Sequence, residues 1–145
     1  MTGFLLRKFW SGPAPAQARP FDELQRKLVD IVHAMQQRAA PNATILLVTY
    51  PNAIPEQGTC ARIELSEPEA ALMRDVAKQL ADVTRAAANE AGAILVDIAG
   101  LSKNHDACSA EPWVNGAAPE RGAQFHPNLA GARAIAAEIA RVLQR

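Results

Sequence analysis

The chain has 145 residues, of which 49% are hydrophobic and 21% are charged, a composition that is ordinary for a globular protein and excludes an intrinsically disordered one. Its 15 basic and 15 acidic side chains give a formal net charge of zero, so no overall field attracts nucleic acid or an anionic membrane surface. No apolar run approaches the roughly 20 residues needed to span a bilayer, and this length without an internal repeat predicts one domain.

Residues 1–20 predict an irregular lead-in that is rich in proline. Arg7 and Lys8 follow its short apolar run, which is the reverse of the order in a signal peptide, so we predict no signal peptide in this chain. The two cysteines, Cys60 and Cys108, are too few for a zinc site of their own and permit one disulfide, which would indicate an oxidising compartment. Because these two indications conflict, we expect that the true beginning of the protein is missing from the sequence.

The first predicted helix runs from Phe21 to about Arg38. Its apolar residues recur at helical spacing, and they are Leu24, Leu28, Ile31, Val32 and Met35. His33 lies beside that stripe and is interpreted as a residue of the helix flank without a chemical role. The run 44–48 (TILLV) is short, continuous and rich in β-branched side chains, which predicts a strand buried on both faces.

A loop over residues 50–65 carries Cys60 and leads to a second helix. Ser66 and Glu69 have the spacing of a capping box, in which the Ser66 hydroxyl accepts from the Glu69 N–H and the Glu69 carboxylate reaches back. This helix is predicted to end near Glu90, with Gly92 as its C-terminal cap. Residues 93–98 (AILVDI) then predict a second buried strand.

A long loop over residues 99–125 is followed by a final helix, predicted from about Pro127 to Leu143. The alternation of helices and strands predicts a parallel sheet with right-handed crossovers, in a flavodoxin-like three-layer α/β/α sandwich. Two strands are too few for such a sheet, so we expect N-terminal strands to be missing. Sites in these sheets lie beyond the carboxyl ends of the strands, which makes His126 a candidate general base; the alternative is a histidine that only caps the helix.

Several local patterns follow the predicted strands in a fixed order. Residues 49–52 (TYPN) follow the first strand, and 105–109 (HDACS), 112–116 (PWVNG) and 125–131 (FHPNLAG) follow the second. Together they resemble the C-terminal half of the SGNH, or GDSL-type, hydrolases, especially the secreted actinobacterial lipases and esterases. Residues 21–145 are therefore interpreted as the C-terminal part of a single SGNH-type α/β domain.

The resemblance implies a catalytic role for His126, which matches the family histidine that takes the proton from a serine nucleophile. The Gly-Asp-Ser block that carries this serine, and the glycine and Gly-x-Asn blocks of the oxyanion hole, have no counterpart here, so we expect the chain alone to be inactive. Ala123 stands where the family usually has an aspartate that orients the histidine. A backbone carbonyl can serve in its place, and Asp106 and Glu120 are further candidates, with nothing in the sequence to favour either.

The resemblance also implies a disulfide between Cys60 and Cys108, against the alternative of two unrelated buried thiols. Trp113 and Asn115 are expected to line the pocket near His126 or to brace it. A loop packed on its own aromatic residue is an equally good interpretation of the same pair.

The remaining candidates for chemistry are given structural roles. His105 has no partner at metal-ligand spacing, so we predict a hydrogen bond within its loop and no metal site. The serines lack the setting of a nucleophile elbow and are not nominated as replacement nucleophiles; they are Ser11, Ser66, Ser102 and Ser109.

The function that the resemblance implies is hydrolysis of carboxylic esters, of a lipid or an acetylated sugar, by a serine esterase or lipase without a metal or organic cofactor. One alternative is a non-catalytic fragment or split-gene product that acts only by docking to an N-terminal half. Another is an unrelated flavodoxin-like binding module. We expect secretion for full-length members of the family. The unpaired edge along residues 44–48 predicts self-association by strand pairing.

Overall fold

The computed structural model describes residues 20–144, so residues 1–19 of the predicted lead-in, with Arg7, Lys8 and Ser11, lie outside the described residues. The elements are α1 (Phe21–Arg38), β1 (Leu46–Val48), α2 (Glu67–Ala91), β2 (Ile94–Val96), α3 (Ile98–Leu101) and α4 (Leu129–Leu143). The predicted alternation of helices and strands is confirmed. The short helix α3 was not predicted and occupies the start of the expected loop. Between residues 20 and 144, no helix is long and apolar enough to cross a membrane.

Helices α1 and α2 begin, end and pack as their sequences indicate. The capping box at the start of α2 is present, and the Glu69 carboxylate accepts from the Ser66 N–H at 2.8 Å. Gly92 ends α2 with a φ of 67°, a left-handed conformation that glycine adopts without steric cost. The two helices pack through small and β-branched side chains, which are Val29, Val32, Ala87 and Ala91.

The sheet consists of β1 and β2 paired in parallel, with Leu46 opposite Ile94 and Val48 opposite Val96. Leu47 packs against the α1–α2 cluster, whereas Leu46 and Val96 pack against α4, so helices cover both faces. This confirms the three-layer α/β/α arrangement.

The prediction that both strands are buried on both faces was wrong in detail. Each strand has three residues, and Val48 is 39% and Ile94 43% exposed. Within residues 20–144 the sheet has two strands, so each strand has one edge without a partner strand.

The loop between β1 and α2 and the loop between α3 and α4 share a second core at the carboxyl end of the sheet. This core is built from Ile54, Ile63, Ala70, Ala107 and Val114. Cys60 and Cys108 pack against it and form a disulfide, with a Cα–Cα distance of 5.9 Å, as predicted. The loop that follows the TYPN motif and the loop that carries the HDACS and PWVNG motifs are therefore covalently joined.

Candidate active site

His126 lies in a short strand-like segment that precedes α4. Val114 and Pro127 form an antiparallel bridge, in which the Asn115 N–H donates to the His126 carbonyl and the Asn128 N–H to the Trp113 carbonyl, both at 2.9 Å. The final helix predicted from about Pro127 is present, but it starts slightly later in the chain. The helix begins at Leu129 because Asn128 is the N-terminal cap, and its side chain accepts from the N–H of the residue three positions on.

Two glycines allow this segment and its neighbour to approach other backbone closely. A Cβ atom on Gly131 would lie 2.0 Å from the Trp113 carbonyl oxygen, and one on Gly116 would lie 2.3 Å from that of Arg62. The first turn of α4 and the loop around residue 62 therefore pack directly on the PWVNG segment at residues 112–116. These contacts give His126 a rigid backbone support although it is outside the helix.

The imidazole ring of His126 is oriented by a backbone carbonyl. Its Nδ1 atom lies 2.8 Å from the Gln124 oxygen, and a carbonyl oxygen can only accept a hydrogen bond, so Nδ1 carries the proton. In the neutral ring this leaves Nε2 as the unprotonated nitrogen. The side chain is exposed, so Nε2 is accessible. The Gln124 carbonyl thus occupies the position relative to the ring that a carboxylate holds in a Ser-His-Asp triad.

Neither carboxylate that the sequence offered as a substitute is needed for this orientation. Asp106 is 7% exposed, and its carboxylate accepts from the Cys108 N–H at 2.8 Å, which closes a turn beside the disulfide. Glu120 is exposed. The Ala123 carbonyl also takes part in the turn, since the His126 N–H donates to it at 3.3 Å.

Asn115 braces the turn that carries His126, and Trp113 packs its own loop. The Asn115 side-chain amide donates to the Ala123 carbonyl at 3.0 Å and to the Arg121 carbonyl at 3.2 Å. The Trp113 ring is stacked on His105, with ring centroids 4.2 Å apart and planes within 6°.

The predicted hydrogen bond of His105 within its loop is confirmed, because its Nδ1 lies 2.8 Å from the Glu111 carbonyl oxygen. In the part of the chain from residue 20 to 144, no group of three or more histidine, cysteine or acidic side chains is arranged to hold a metal ion.

Sequence reasoning missed Tyr50, which reaches the same turn from the end of β1. Its hydroxyl donates to the Phe125 carbonyl at 3.1 Å, and its ring meets the His126 ring edge to face, with centroids 6.3 Å apart. Burial raises the pKa of the Tyr50 phenol. The only sequence signal was its position directly after the strand, in the TYPN motif at residues 49–52.

A polar network holds the carboxyl ends of the two strands together. Asp97 follows β2 and accepts from the Thr49 hydroxyl at 3.1 Å and from Arg85 Nη2 at 2.9 Å. Burial raises the pKa of the Asp97 carboxyl, but the hydrogen bonds from Arg85, Gly100 and Thr49 outweigh it, so this pKa lies below its ordinary value. The carboxylate is therefore ionised and fixed, and it anchors Thr49 beside Tyr50.

A groove of about 800 Å³ lies beside the segment that follows His126. Pro127, Leu129 and Val114 supply apolar lining. Charge of both signs comes from Arg62, Arg121, Glu64 and Glu120. Asn115 is among the residues that line this groove, whereas Trp113 and His126 are not, so the pocket-lining roles of Trp113 and Asn115 stay predictions. Its mixed lining can accept a molecule that has both an apolar and a polar part.

Comparison with known proteins finds similarity to lipases. Residues 9–134 match the model of the GDSL-like lipase/acylhydrolase family. A protein named Lipase 2 from Streptomyces coelicolor is 32% identical over 113 residues, which cover 72% of this chain and 37% of that protein.

Two solved structures of Streptomyces enzymes have a fold similar to that of this chain. An extracellular lipase from Streptomyces rimosus superposes with a TM-score of 0.68 at 25% identity, over 89% of this chain and 51% of that one. A phospholipase A1 from Streptomyces albidoflavus NA297 has the same fold, with a TM-score of 0.69 at 24% identity and the same two coverages. The chain thus spans about half the length of these solved structures.

Proposed function

Because the chain belongs to the GDSL-like lipase/acylhydrolase family, we propose that it supplies the general base of a serine ester hydrolase, and that His126 is this base. The hydrogen bond between Nδ1 and the Gln124 carbonyl is the observation that carries the proposal. It selects the tautomer in which the exposed Nε2 can accept a proton. A general base needs this combination of a fixed ring and an accessible lone pair.

The chemistry that fits this geometry is acyl transfer through a serine. Nε2 takes the proton from the serine hydroxyl while the serine oxygen attacks the ester carbonyl carbon. The tetrahedral intermediate then expels the alcohol, which receives the proton from Nε2 and leaves an acyl-serine. Water repeats the sequence, giving its proton to Nε2 and its oxygen to the acyl group, and the serine recovers its hydrogen as the acid departs.

We propose that none of the serines in residues 20–144 is the nucleophile, and the support is that each of their hydroxyls has a hydrogen-bond partner elsewhere in the structure. Ser66 donates to Glu69 within the capping box, Ser109 donates to the Asp106 carbonyl, and the buried Ser102 accepts from the backbone N–H of residue 52. We therefore propose that the serine and the oxyanion donors belong to a Gly-Asp-Ser half that this sequence does not contain.

Docking to such a half is the second candidate function, and the edge of the sheet favours it. Within residues 20–144, β1 pairs with β2 and with no third strand, and Val48 at its end is 39% exposed. An unpaired parallel edge presents N–H and C=O groups that a further strand can pair. Self-association through the same edge stays a prediction.

The substrates that we propose are carboxylic esters of lipids. The relatives named above are lipases, and the groove beside Pro127 and Asn128 combines apolar and charged lining, which suits an ester with an acyl chain. We also propose that the protein works outside the cell. Its disulfide needs an oxidising compartment, and the Streptomyces rimosus relative is an extracellular lipase.

The test is a chimera in which the N-terminal part of the Streptomyces rimosus lipase, up to its match with this chain, precedes residue 20. We expect the chimera to hydrolyse p-nitrophenyl esters and the chain alone to show no burst or turnover. His126→Ala should lower kcat of the chimera by roughly 10⁴- to 10⁶-fold, the scale of losing a triad member. His33→Ala on the exposed side of α1 is the matched control and should change nothing. Full activity in the His126→Ala chimera would refute the proposal.

A further inference from the structure

Tyr50 occupies a segment that is fixed on both sides. The Thr49 hydroxyl accepts from the Ala99 N–H at 2.8 Å. The Asn52 N–H donates to the Ser102 hydroxyl at 2.8 Å, and the Asn52 side-chain amide donates to the Ala99 carbonyl at 2.9 Å. These bonds join the end of β1 to α3, so the backbone of Tyr50 is held between two anchored neighbours.

The turn at residues 124–126 depends on outside contacts for its shape. Phe125 has a φ of 58°, in the left-handed region that residues with a side chain keep only where the surroundings impose it. Its own N–H makes a long hydrogen bond of 3.4 Å to the Gly116 carbonyl. The Tyr50 hydroxyl supplies a second contact by donating to the Phe125 carbonyl at 3.1 Å.

We propose that Tyr50 is a positioning residue for His126, and the inference rests on the proposed role of His126 as the base. Tyr50 holds the Phe125 carbonyl, and this fixes the peptide between Phe125 and His126, which is adjacent to the peptide that carries the Gln124 carbonyl. The Gln124 carbonyl then stays in place against Nδ1 of His126. Because burial raises the pKa of the phenol, Tyr50 keeps the proton that it donates at neutral and mildly alkaline pH.

The direct test is the tautomer of His126, measured in the protein itself by ¹H–¹⁵N correlation spectra of the imidazole nitrogens. Tyr50→Phe keeps the ring and removes the hydroxyl. We expect the share of the Nε2–H tautomer and the solvent exchange of the Nδ1 proton to rise about fivefold, the effect of losing one neutral hydrogen bond. The chain has 3 histidines, so His33 and His105 serve as internal references that should not move.

Thr44→Val is the matched control, because it removes one hydroxyl from an exposed residue just ahead of β1. It should leave the His126 signals unchanged. Tautomer populations in Tyr50→Phe that agree with the wild type within twofold would overturn the proposal. Tautomer changes of equal size at His33 or His105 would also overturn the proposal, because they would show a general loss of structure.

A kinetic measurement separates this inference from the proposed function. In an active chimera, Tyr50→Phe should lower kcat about fivefold with KM unchanged, since the hydroxyl contacts the turn and not the substrate. If His126→Ala leaves the chimera active, the proposed function fails while the tautomer result still stands. If His126→Ala abolishes activity and Tyr50→Phe alters neither kcat nor the tautomer, only the inference about Tyr50 fails.

Discussion

Reduction of the disulfide should remove a large part of the stability of this protein. Cys60 and Cys108 are 48 positions apart, and on the loop-entropy model a loop of that length contributes about 4 kcal/mol. Domains of this size have total unfolding free energies of about 5–15 kcal/mol. On this model the loss arises because the unfolded chain gains freedom on reduction. In the folded protein both cysteines pack against the cluster that contains Ile63 and Val114.

Urea unfolding followed by circular dichroism, with and without a phosphine reductant, measures this contribution. With an m value of about 2 kcal/mol/M, the midpoint should fall by about 2 M on reduction. The Cys60→Ala/Cys108→Ala variant is the control and should not respond to the reductant. A shift below about 0.5 M in the wild type would show that the unfolded chain gains little freedom from reduction, and the loop-entropy argument would be wrong.

Two further predictions concern packing and charge near the site. Gly131→Ala places a Cβ 2.0 Å from the Trp113 carbonyl oxygen and should lower the free energy of unfolding in urea by about 1–3 kcal/mol. This cost should exceed that of the control Ala132→Gly at the exposed neighbouring position, and equal midpoints would contradict the close approach. Asp97 has a folded pKa below its unfolded value of about 3.9, so its contribution is present above that pH and is lost as pH falls through the folded value. The Tm difference between wild type and Asp97→Asn should therefore be largest at neutral pH and shrink toward pH 3, and a difference independent of pH would refute the role of the charge.

Local features were the ones that the sequence predicted well. The capping box at Ser66 and the glycine cap at Gly92 depend on residues within a few positions of each other, so their spacing is enough to identify them. The family was also predicted correctly, from motifs that keep their order along the chain. The disulfide followed from that resemblance, not from the spacing of the cysteines.

The start of α4 and the orientation of His126 could not be predicted from residue types alone. Pro127 is compatible with a first helical turn, but the bridge to Val114 and the cap at Asn128 delay the helix until Leu129. The partner of Nδ1 is a backbone carbonyl, which every residue possesses, so the letter at position 124 gives no indication of it. Such a partner is identified only when the path of the backbone is known.

In the proposed role of His126, a carbonyl partner for Nδ1 requires a more accurately placed backbone than a carboxylate partner would. A carboxylate stabilises the imidazolium by its charge over several ångströms and tolerates small displacements. A carbonyl dipole contributes through one hydrogen bond, whose strength falls steeply as distance and angle change. The cost of a misplaced turn is therefore greater here than in a triad with an acid. Two separate side chains, Asn115 and Tyr50, donate to carbonyls on either side of Gln124, at Ala123 and Phe125, which agrees with the proposed role of His126. In such a site, sensitivity to mutation should lie with the residues that hold the backbone as much as with the histidine itself.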